Sequence, residues 1–406
     1  MNVIFLTLVR ISDIEDRGIY QDLMRKFRNE GHNVYIVTAA ERRLGQETSL
    51  VDSHGVKILN VKTLNVQKTN IVEKGIGTLL IENQFKSAIK KYLGDVKFDL
   101  ITYSTPPITF TNVVKYLKKK NPKAISYLQL KDIFPQNAVD MKMFGEKSVF
   151  NWYFRKKEKA LYRVSDFIGC MSQANVKFVL GHNPEIDAER VEVAPNSIEL
   201  KEDDLLNDPG QLKAARLYIR KKYNLPLDKP VFIYGGNLGI PQGIDYLVKC
   251  LDANKNRKDC YFVVVGSGTH YGLIAEWYSK NQNHNVKLMQ ALPKSEYDTL
   301  VRTCDVGMIF LDHRFTIPNY PSRLLSYLEY KMPVVCATDV NTDIGKIAVE
   351  NGYGYWCESV KPEDFTVLVD KMLASDMKAM GERGYEFLKK NYLVEHTYSA
   401  IMRHFD

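Results

Sequence analysis

The fold is indicated by a glycine-rich turn that reads Tyr234-Gly235-Gly236-Asn237-Leu238-Gly239-Ile240-Pro241-Gln242-Gly243. A β-branched and aromatic run precedes the turn, and apolar residues then recur at helical spacing, at Ile244, Leu247, Val248 and Leu251. Glycines at a strand-to-helix turn let backbone N–H groups approach a phosphate, which the positive helix end also attracts. The stretch therefore predicts a doubly wound α/β domain with a phosphate at this turn. A tight turn without a ligand is the alternative for a single such loop.

The same alternation of strands and helices occurs twice along the 406 residues. The predicted strands lie at 3–8, 34–38, 56–61, 100–103, 125–130 and 167–171, and again at 231–234, 261–265, 286–289, 306–310 and 334–337. Residues 200–230 are polar and turn-rich, which places a linker just before them. We therefore expect two domains, 1–199 and 200–393.

The bulk composition is that of an ordinary globular protein, with 45% hydrophobic and 26% charged residues. No apolar run approaches the roughly 20 residues that cross a bilayer. The apolar opening has no basic segment before it, and Arg10 follows closely, which favours a first strand over a signal peptide. The six cysteines show no CxxC spacing, so buried thiols in a reducing cytoplasm are expected.

The charge is unevenly distributed along the chain. Residues 1–180 hold 29 Lys and Arg against 17 Asp and Glu, whereas the remainder holds 27 against 31. A basic half predicts an anionic partner, and phospholipid, a lipid diphosphate and nucleic acid all fit this charge. The helix predicted over 73–91 combines apolar Ile76, Leu79, Leu80 and Phe85 with Lys86, Lys90 and Lys91. It is either a membrane-docking helix or an ordinary core-packed one.

Two further loops of the second half carry candidate binding residues. Gly266-Ser267-Gly268 follows the predicted strand 261–265, which on its own indicates close packing of the turn. The loop Phe315-Thr316-Ile317-Pro318-Asn319-Tyr320-Pro321 then leads into a helix that Pro321 or Ser322 opens. Arg323 in the first turn opposes the helix dipole unless an anion also lies there, and a solvent-exposed Arg is the alternative.

The order of these segments resembles that of the retaining glycosyltransferases of family 4, which have the GT-B fold. The resemblance covers nearly the whole chain and rests on order and spacing. The similar segments are Arg17-Gly18-Ile19-Tyr20 with Glu30–Val34, Gln129–Pro135, Ala194–Ile198, Gly236–Gly243, Val265–Gly268, Ala291-Leu292-Pro293 with Cys304-Asp305-Val306, and Pro321–Leu324 with Tyr327 and Pro333-Val334.

The resemblance implies two Rossmann-like domains that face each other across a cleft. The second would hold a nucleotide-diphosphate sugar, with UDP the commonest donor nucleotide, and the first a lipid-linked saccharide acceptor. The last helix (394–406) would pack back on the first domain. The expected activity is transfer of a hexosyl or N-acetylhexosaminyl group, with retention, in the synthesis of capsule or O-antigen at the inner face of the membrane. An undecaprenyl-diphosphate-linked acceptor and anionic lipid would account for the basic half. The expected donor-binding residues are Gly236, Asn237, Gln242, Gly266, Leu292, Asn319, Ser322, Arg323 and Ser326.

The chain departs from the family pattern at four positions. Asn237 and Gln242 stand where many members carry an Arg and a Lys for the diphosphate. Pro318 and Ser326 stand where many carry two Glu, the first towards the sugar and the second towards the ribose. Arg323 then becomes the expected cation for the diphosphate. Glu329, beyond Ser326, is expected to be exposed or to face the first domain.

The first half contributes a predicted catalytic residue, Asp132, which follows an apolar strand at the carboxyl edge of a sheet. The alternative is an Asp that caps the turn before Pro135. Arg17 and Gly18 at the start of a helix are expected on the acceptor or phosphate side. No HExxH, catalytic Ser-His-Asp order or DxD triplet is present, so we expect neither a metal nor another cofactor.

Three other functions remain open from the sequence. Pro318 and Ser326 suggest a GT-B-shaped scaffold that binds lipid or nucleotide without catalysis. A nucleotide-sugar epimerase would have a similar shape. A nucleic-acid binder would need stacking aromatics among its cations, which the sequence does not provide, so we expect no nucleic acid partner.

Overall fold

The computed structural model describes residues 1–65, 71–200, 208–281 and 285–405, without the side chains of residues 71–76 and 209. The chain forms two compact units. Unit 1 comprises Met1–Glu199 and Val394–Asp406, and unit 2 comprises Leu200–Leu393.

Unit 1 is built on an eight-stranded sheet in the order β3-β4-β2-β1-β5-β6-β7-β8. Every described strand pair is parallel except β3 with β4, so the predicted doubly wound sheet carries one antiparallel edge strand. The sequence analysis missed β3 because four of its five residues are exposed, and missed β8 because it is three residues long. The strands are β1 (Asn2–Thr7), β2 (Asn33–Glu41), β3 (Ser49–Ser53), β4 (Val56–Thr63), β5 (Leu100–Ser104), β6 (Ile125–Leu130), β7 (Phe167–Cys170) and β8 (Val191–Val193).

The helices of unit 1 cover the two faces of this sheet through apolar stripes. In α1, for example, Leu23, Met24 and Phe27 are buried against Phe5 and Ile36 of the central strands. The helices are α1 (Ile19–Asn29), α2 (Ile71–Tyr92), α3 (Thr111–Lys120), α4 (Gln136–Asp140), α5 (Val149–Val164) and α6 (Gln173–His182).

The last helix, α15 (Val394–Met402), packs against α1 within unit 1. The ring of Tyr398 lies 4.9 Å from the ring of Phe27, centroid to centroid. Its hydroxyl and the Nε2 of His32 are 2.9 Å apart. The hydroxyl of Thr397 donates to the carbonyl of Pro195, which ties the helix to the end of the unit's main segment.

Helix α2 does not present all its predicted apolar residues on one face. Phe85 is buried in the core of unit 1, together with Ile81 and Ile89. Leu79 and Leu80 are exposed, so they are not part of the core-facing stripe. The side chain of Ile76 lies outside the described residues.

Unit 2 contains an all-parallel six-stranded sheet in the order β11-β10-β9-β12-β13-β14. Strands β12 and β13 are buried along their whole length, which explains their continuous apolar runs. The strands are β9 (Val231–Asn237), β10 (Tyr261–Ser267), β11 (Val286–Gln290), β12 (Val306–Phe310), β13 (Val334–Thr338) and β14 (Gly354–Glu358). Only β14 had no counterpart in the sequence analysis.

The helices of unit 2 are α7 (Pro209–Lys222), α8 (Ile244–Ala253), α9 (Tyr271–Asn281), α10 (Lys294–Arg302), α11 (Arg323–Glu329), α12 (Ile344–Glu350), α13 (Pro362–Leu373) and α14 (Met377–Asn391). Helix α7 lies in the segment whose composition suggested only turns. Asp208 caps it by accepting from the N–H groups of Gly210 and Gln211, so the residues that resemble a turn are a helix start. Residues 201–207 of the predicted linker lie outside the described residues.

All six cysteines are buried and free, as the sequence predicted. In the parts of the chain that the structure describes, no helix is long and apolar enough to cross a membrane.

Candidate functional site

The carboxyl edge of the unit 2 sheet gathers most of the predicted donor-binding residues. Strand β9 lies between β10 and β12, and the chain leaves it towards β10 before it returns on the other side at β12. The loops after β9 and β12 therefore diverge at a topological switch point, where ligands of open α/β sheets bind. The loop after β9 holds Gly236, and the loop after β12 leads to Arg323.

Glycines allow the loops after β9 and β10 to pack backbone on backbone. A Cβ on Gly266 would lie 2.0 Å from the carbonyl oxygen of Gly236, and one on Gly268 would lie 2.4 Å from that of Leu238. The Leu238 N–H donates to the Ser267 carbonyl at 2.9 Å. The predicted role of Gly266 in packing is thus explained by an adjacent backbone, which any side chain would displace.

The two amides that replace the usual cations contact each other. Asn237 Nδ2 donates to Gln242 Oε1 at 2.7 Å across the turn. Gly243, with φ 59°, then starts α8 in a left-handed conformation that favours glycine. The N–H of Asp312 donates to the carbonyl of Pro241, which joins this turn to the loop after β12.

Arg323 is the cation at this edge, and it lies beside the glycine turn. Its guanidinium carbon is 4.3 Å from the ring centroid of Tyr234. Its Nη2 would be 3.5 Å from a Cβ on Gly236. Its Nη1 is buried without a hydrogen-bond partner in the described chain. Burial acts to lower the pKa of the guanidinium. The phenol groups of Tyr234 and Tyr327 raise it by more than burial lowers it, so the pKa lies above its usual value and the group stays charged.

Tyr327 holds Arg323 in place from one helical turn further along α11. The Tyr327 hydroxyl donates to the carbonyl of Ile233 at 3.2 Å, and its ring lies against Gly307, where a Cβ would be 2.3 Å away. Tyr297 approaches from α10, since a Cβ on Gly235 would lie 2.1 Å from its hydroxyl. Three phenols thus surround the guanidinium. The sequence analysis did not select Tyr234 or Tyr297 as site residues, because a tyrosine in an apolar pattern resembles ordinary core.

The loop that contains Asn319 is fixed by the turn after β13. Asp339 accepts from the N–H groups of Asn341 and Thr342 and from the Thr342 hydroxyl. The N–H of Asn319 donates to that same hydroxyl at 3.0 Å. Asn341 Nδ2 donates to the Phe315 carbonyl at 2.7 Å. Burial raises the pKa of Asp339 to about 6, against the effect of these hydrogen bonds.

The remaining predicted residues of unit 2 occupy different depths. Ser322 is the exposed N-cap of α11, and Ser326 is half-buried on the same helix. Leu292 is half-buried just after β11. Glu329 is buried, so the expectation of an exposed carboxylate is wrong, whereas the alternative that it faces the first domain stays a prediction. In the last turn of the short α11, the consecutive residues Tyr327, Leu328 and Glu329 are all buried. The spacing of Glu329 from Ser326 alone did not predict this burial.

In unit 1, Asp132 lies at the carboxyl edge of the sheet, just after β6. Its Oδ1 accepts from Asn137 Nδ2 at 2.8 Å, and its backbone N–H donates to the Thr105 hydroxyl. Burial raises the pKa of the carboxyl to about 6, which the Asn137 hydrogen bond opposes. The carboxylate also accepts from the backbone N–H of Ile133, which agrees with the alternative of an Asp that caps the turn before Pro135. Its catalytic role stays a prediction.

Arg17 and Gly18 precede α1 on the loop that follows β1. The pKa of Tyr20, in the first turn of α1, is raised to about 12, mainly by burial and also by the nearby Asp132 carboxylate. The start of α1 and Asp132 are therefore neighbours at one edge of unit 1. Gly18 has φ 174°, an extended conformation that any residue adopts.

Among the residues that the structure describes, no group of three His, Cys, Asp or Glu side chains is arranged to hold a metal ion.

The sequence of unit 2 matches a known family. Residues 216–387 match the model described as "Glycosyl transferases group 1". The match covers less than half of the chain, and it includes the glycine turn, Arg323 and Asp339.

Similar proteins extend the likeness over more of the chain. The probable glycosyltransferase WbjE of Pseudomonas aeruginosa is 21% identical over 279 residues, which cover 65% of this chain and 64% of that protein. The putative colanic acid biosynthesis glycosyl transferase WcaI of Escherichia coli (strain K12) is 24% identical over 132 residues, 32% of this chain and 31% of that protein. Each alignment spans less than two thirds of the relative.

Among solved structures, Anabaena HepE in complex with UDP superimposes with a TM-score of 0.68 at 13% identity, covering 100% of this chain and 99% of that one. At this identity the likeness establishes the fold. The two units have the GT-B fold, as the sequence analysis predicted.

Proposed function

We propose that this chain transfers a sugar from a nucleotide-diphosphate donor to a lipid-linked saccharide acceptor in the assembly of a bacterial surface polysaccharide. The donor binds to unit 2 at the carboxyl edge of its sheet, and the acceptor binds to unit 1 at the edge that carries Asp132.

One observation carries the donor assignment. The guanidinium of Arg323 lies beside the Gly236 turn with one buried nitrogen that has no partner in the described chain. A buried donor without an acceptor costs about 1–3 kcal/mol, and more for a charged group. A diphosphate oxygen would pair this nitrogen, while the glycine turn offers backbone N–H groups from the other side.

The relatives support the chemical class. WcaI carries a name from colanic acid biosynthesis, and HepE is described in complex with UDP. We therefore choose UDP as the first nucleotide and a lipid-linked saccharide as the first acceptor class to test. The capsule and O-antigen types, and retention at the transferred carbon, remain parts of this proposal.

The chemistry needs little from the side chains beyond placement and charge. Departure of the nucleoside diphosphate breaks the bond to the sugar and leaves negative charge on the phosphate next to Arg323. An acceptor hydroxyl forms the new bond, and its proton passes to the leaving diphosphate. Such a step needs no strong protein base and gains from preorganised positive charge. We propose that no divalent metal is required, because Arg323 and the backbone amides supply that charge.

The test is calorimetric titration of the full chain with UDP, GDP and ADP, followed by a release assay for nucleoside diphosphate with each sugar donor and an undecaprenyl-diphosphate-linked saccharide. Binding of one nucleotide and release that depends on the acceptor support a transferase. Binding without release under any donor and acceptor pairing would instead favour the scaffold alternative that Pro318 and Ser326 suggested.

A further inference from the structure

Unit 1 exposes a contiguous apolar segment that the donor and acceptor sites do not use. Four side chains between residues 143 and 152 are among the most exposed large apolar groups of the described chain. They are Val149 (79% exposed), Met143 (67%), Phe150 (67%) and Trp152 (64%). Scattered single apolar residues on a surface are normal, but a cluster this close in sequence marks an interaction site.

Hydrogen bonds and ring contacts hold the segment in this conformation. Ser148 caps α5 by accepting from the Asn151 N–H, and Asn151 Nδ2 donates back to the Glu146 carbonyl at 2.6 Å. Phe144 and Phe154 pack on Phe134 with ring centroids 6.3 and 4.9 Å away. The inward aromatic rings fix the segment and leave the four apolar side chains outside.

Basic residues surround the apolar cluster. Lys142, Lys147 and Lys156 are exposed, and none of them forms an ion pair with a carboxylate of the described residues. Lys156 lies over the Trp152 ring at 5.4 Å and Lys157 over the Tyr153 ring at 5.7 Å. Large apolar groups flanked by unpaired lysines are the pattern of a surface that enters the boundary of an anionic bilayer.

We propose that residues 142–157, the α5 patch, dock unit 1 on an anionic membrane surface. Phe150 and Trp152 enter the acyl boundary, and the lysines pair with lipid phosphates. The patch is coupled to the acceptor edge, because Phe134, two residues after Asp132, packs on Phe154 of α5. Under the proposed function, on which this step rests, the patch holds Asp132 near the plane in which a lipid-linked acceptor lies.

Helix α2, which the sequence analysis named as a possible membrane-docking helix, fits an anionic membrane surface less well than the α5 patch. Among its described side chains, Leu79 and Leu80 are exposed near the middle of the helix, and Lys86, Lys90 and Lys91 follow towards its C-terminal end. Lys86 lies over the Tyr116 ring and Lys91 over the Tyr92 ring. In this described part of α2, the exposed leucines and the lysines are separated along the axis, whereas the apolar and basic side chains of the α5 patch are intermixed along the sequence.

The experiment measures co-sedimentation of the full chain with phosphatidylcholine vesicles, with and without phosphatidylglycerol. We expect binding that requires phosphatidylglycerol and falls as salt rises, because exposed charges are screened. Phe150→Ser with Trp152→Ser should weaken binding at least tenfold, and Lys142→Gln, Lys147→Gln and Lys156→Gln together should do the same. Leu217→Ser with Tyr218→Ser, exposed on α7 of unit 2, is the matched control and should bind as wild type.

Tryptophan emission gives an independent readout. Trp152 emission should shift to the blue with anionic vesicles, and Trp152→Phe should lose the shift but keep the binding. Equal binding by wild type and the Phe150/Trp152 variant would overturn the proposal. So would a concentration-dependent dimer that this variant abolishes, because the patch would then contact a second copy. UDP titration of the same samples separates this outcome from failure of the proposed transferase.

Discussion

The guanidinium carbon of Arg323 lies 4.3 Å from the ring centroid of Tyr234, across from the glycine turn after β9. The two residues are 89 positions apart: Tyr234 lies on β9, and Arg323 begins α11, which follows the neighbouring strand β12. The ring of Tyr234 attracts the cation, while the Nη1 of Arg323 is buried without a hydrogen-bond partner in the described chain. This pair is the centre of the proposed diphosphate site.

Arg323→Ala should weaken nucleoside diphosphate binding by about 1.5–3 kcal/mol, because a charge-assisted hydrogen bond is lost. Arg323→Lys should fall between wild type and Ala, since an ammonium keeps the charge but not the planar stack. Calorimetry with UDP measures both. Arg257→Ala, which removes a cation held by Asp259 and Asp370 of unit 2, should bind as wild type. Unchanged affinity in a folded Arg323→Ala protein removes this residue from the site.

Gly266→Ala should destabilise unit 2 by about 1–3 kcal/mol, because the new Cβ meets the Gly236 carbonyl oxygen at 2.0 Å. The displaced turn should also bind nucleotide less well. Gly272→Ala on α9 is the matched control: its Cβ meets nothing within 4 Å, and Ala favours a helix over Gly. Urea unfolding compares the two. Equal unfolding midpoints for the two variants would contradict the prediction, because the loops at Gly236 and Gly266 could then move apart without loss of stability.

Asp132 gives a pH prediction. Burial raises its pKa to about 6, so the carboxylate that would orient an acceptor hydroxyl is lost as pH falls below that value. Transferase activity should therefore decrease tenfold per pH unit on the acid side. Asn137→Ala removes the hydrogen bond that favours the ionised form of Asp132, so the pKa of Asp132 should rise. The acid limb, which is the fall in activity at low pH, should therefore move to higher pH. Asp132→Asn should lower kcat and abolish that limb. An acid limb that survives in Asp132→Asn belongs to another group.

Turnover should continue in excess EDTA, because the proposed site neutralises the diphosphate with Arg323 and backbone amides. A divalent ion, if needed, would bring its own charge to the phosphates. The release assay with and without EDTA decides this. Activity that disappears with EDTA and returns with magnesium or manganese would contradict the prediction.

The alternating pattern was sufficient to predict two doubly wound α/β domains, and the family resemblance added the GT-B fold. Buried parallel strands must be apolar on both faces, which makes β9, β10, β12 and β13 visible as continuous runs. Elements without that constraint were missed. The edge strand β3 is exposed, and α7 begins with Asp208-Pro209-Gly210, residues that serve turns and helix starts equally.

The sequence by itself determined which loops carry the candidate chemistry, because glycines at strand ends and a cation at a helix start are local signals. Only the tertiary structure decided what those groups contact. It brought Tyr234, Tyr297 and Tyr327 around Arg323 and bonded Asn237 to Gln242. It also buried Glu329 and exposed Phe150 and Trp152. Burial and pairing depend on residues distant in sequence, so a one-dimensional pattern identifies the candidates but does not specify their partners or exposure.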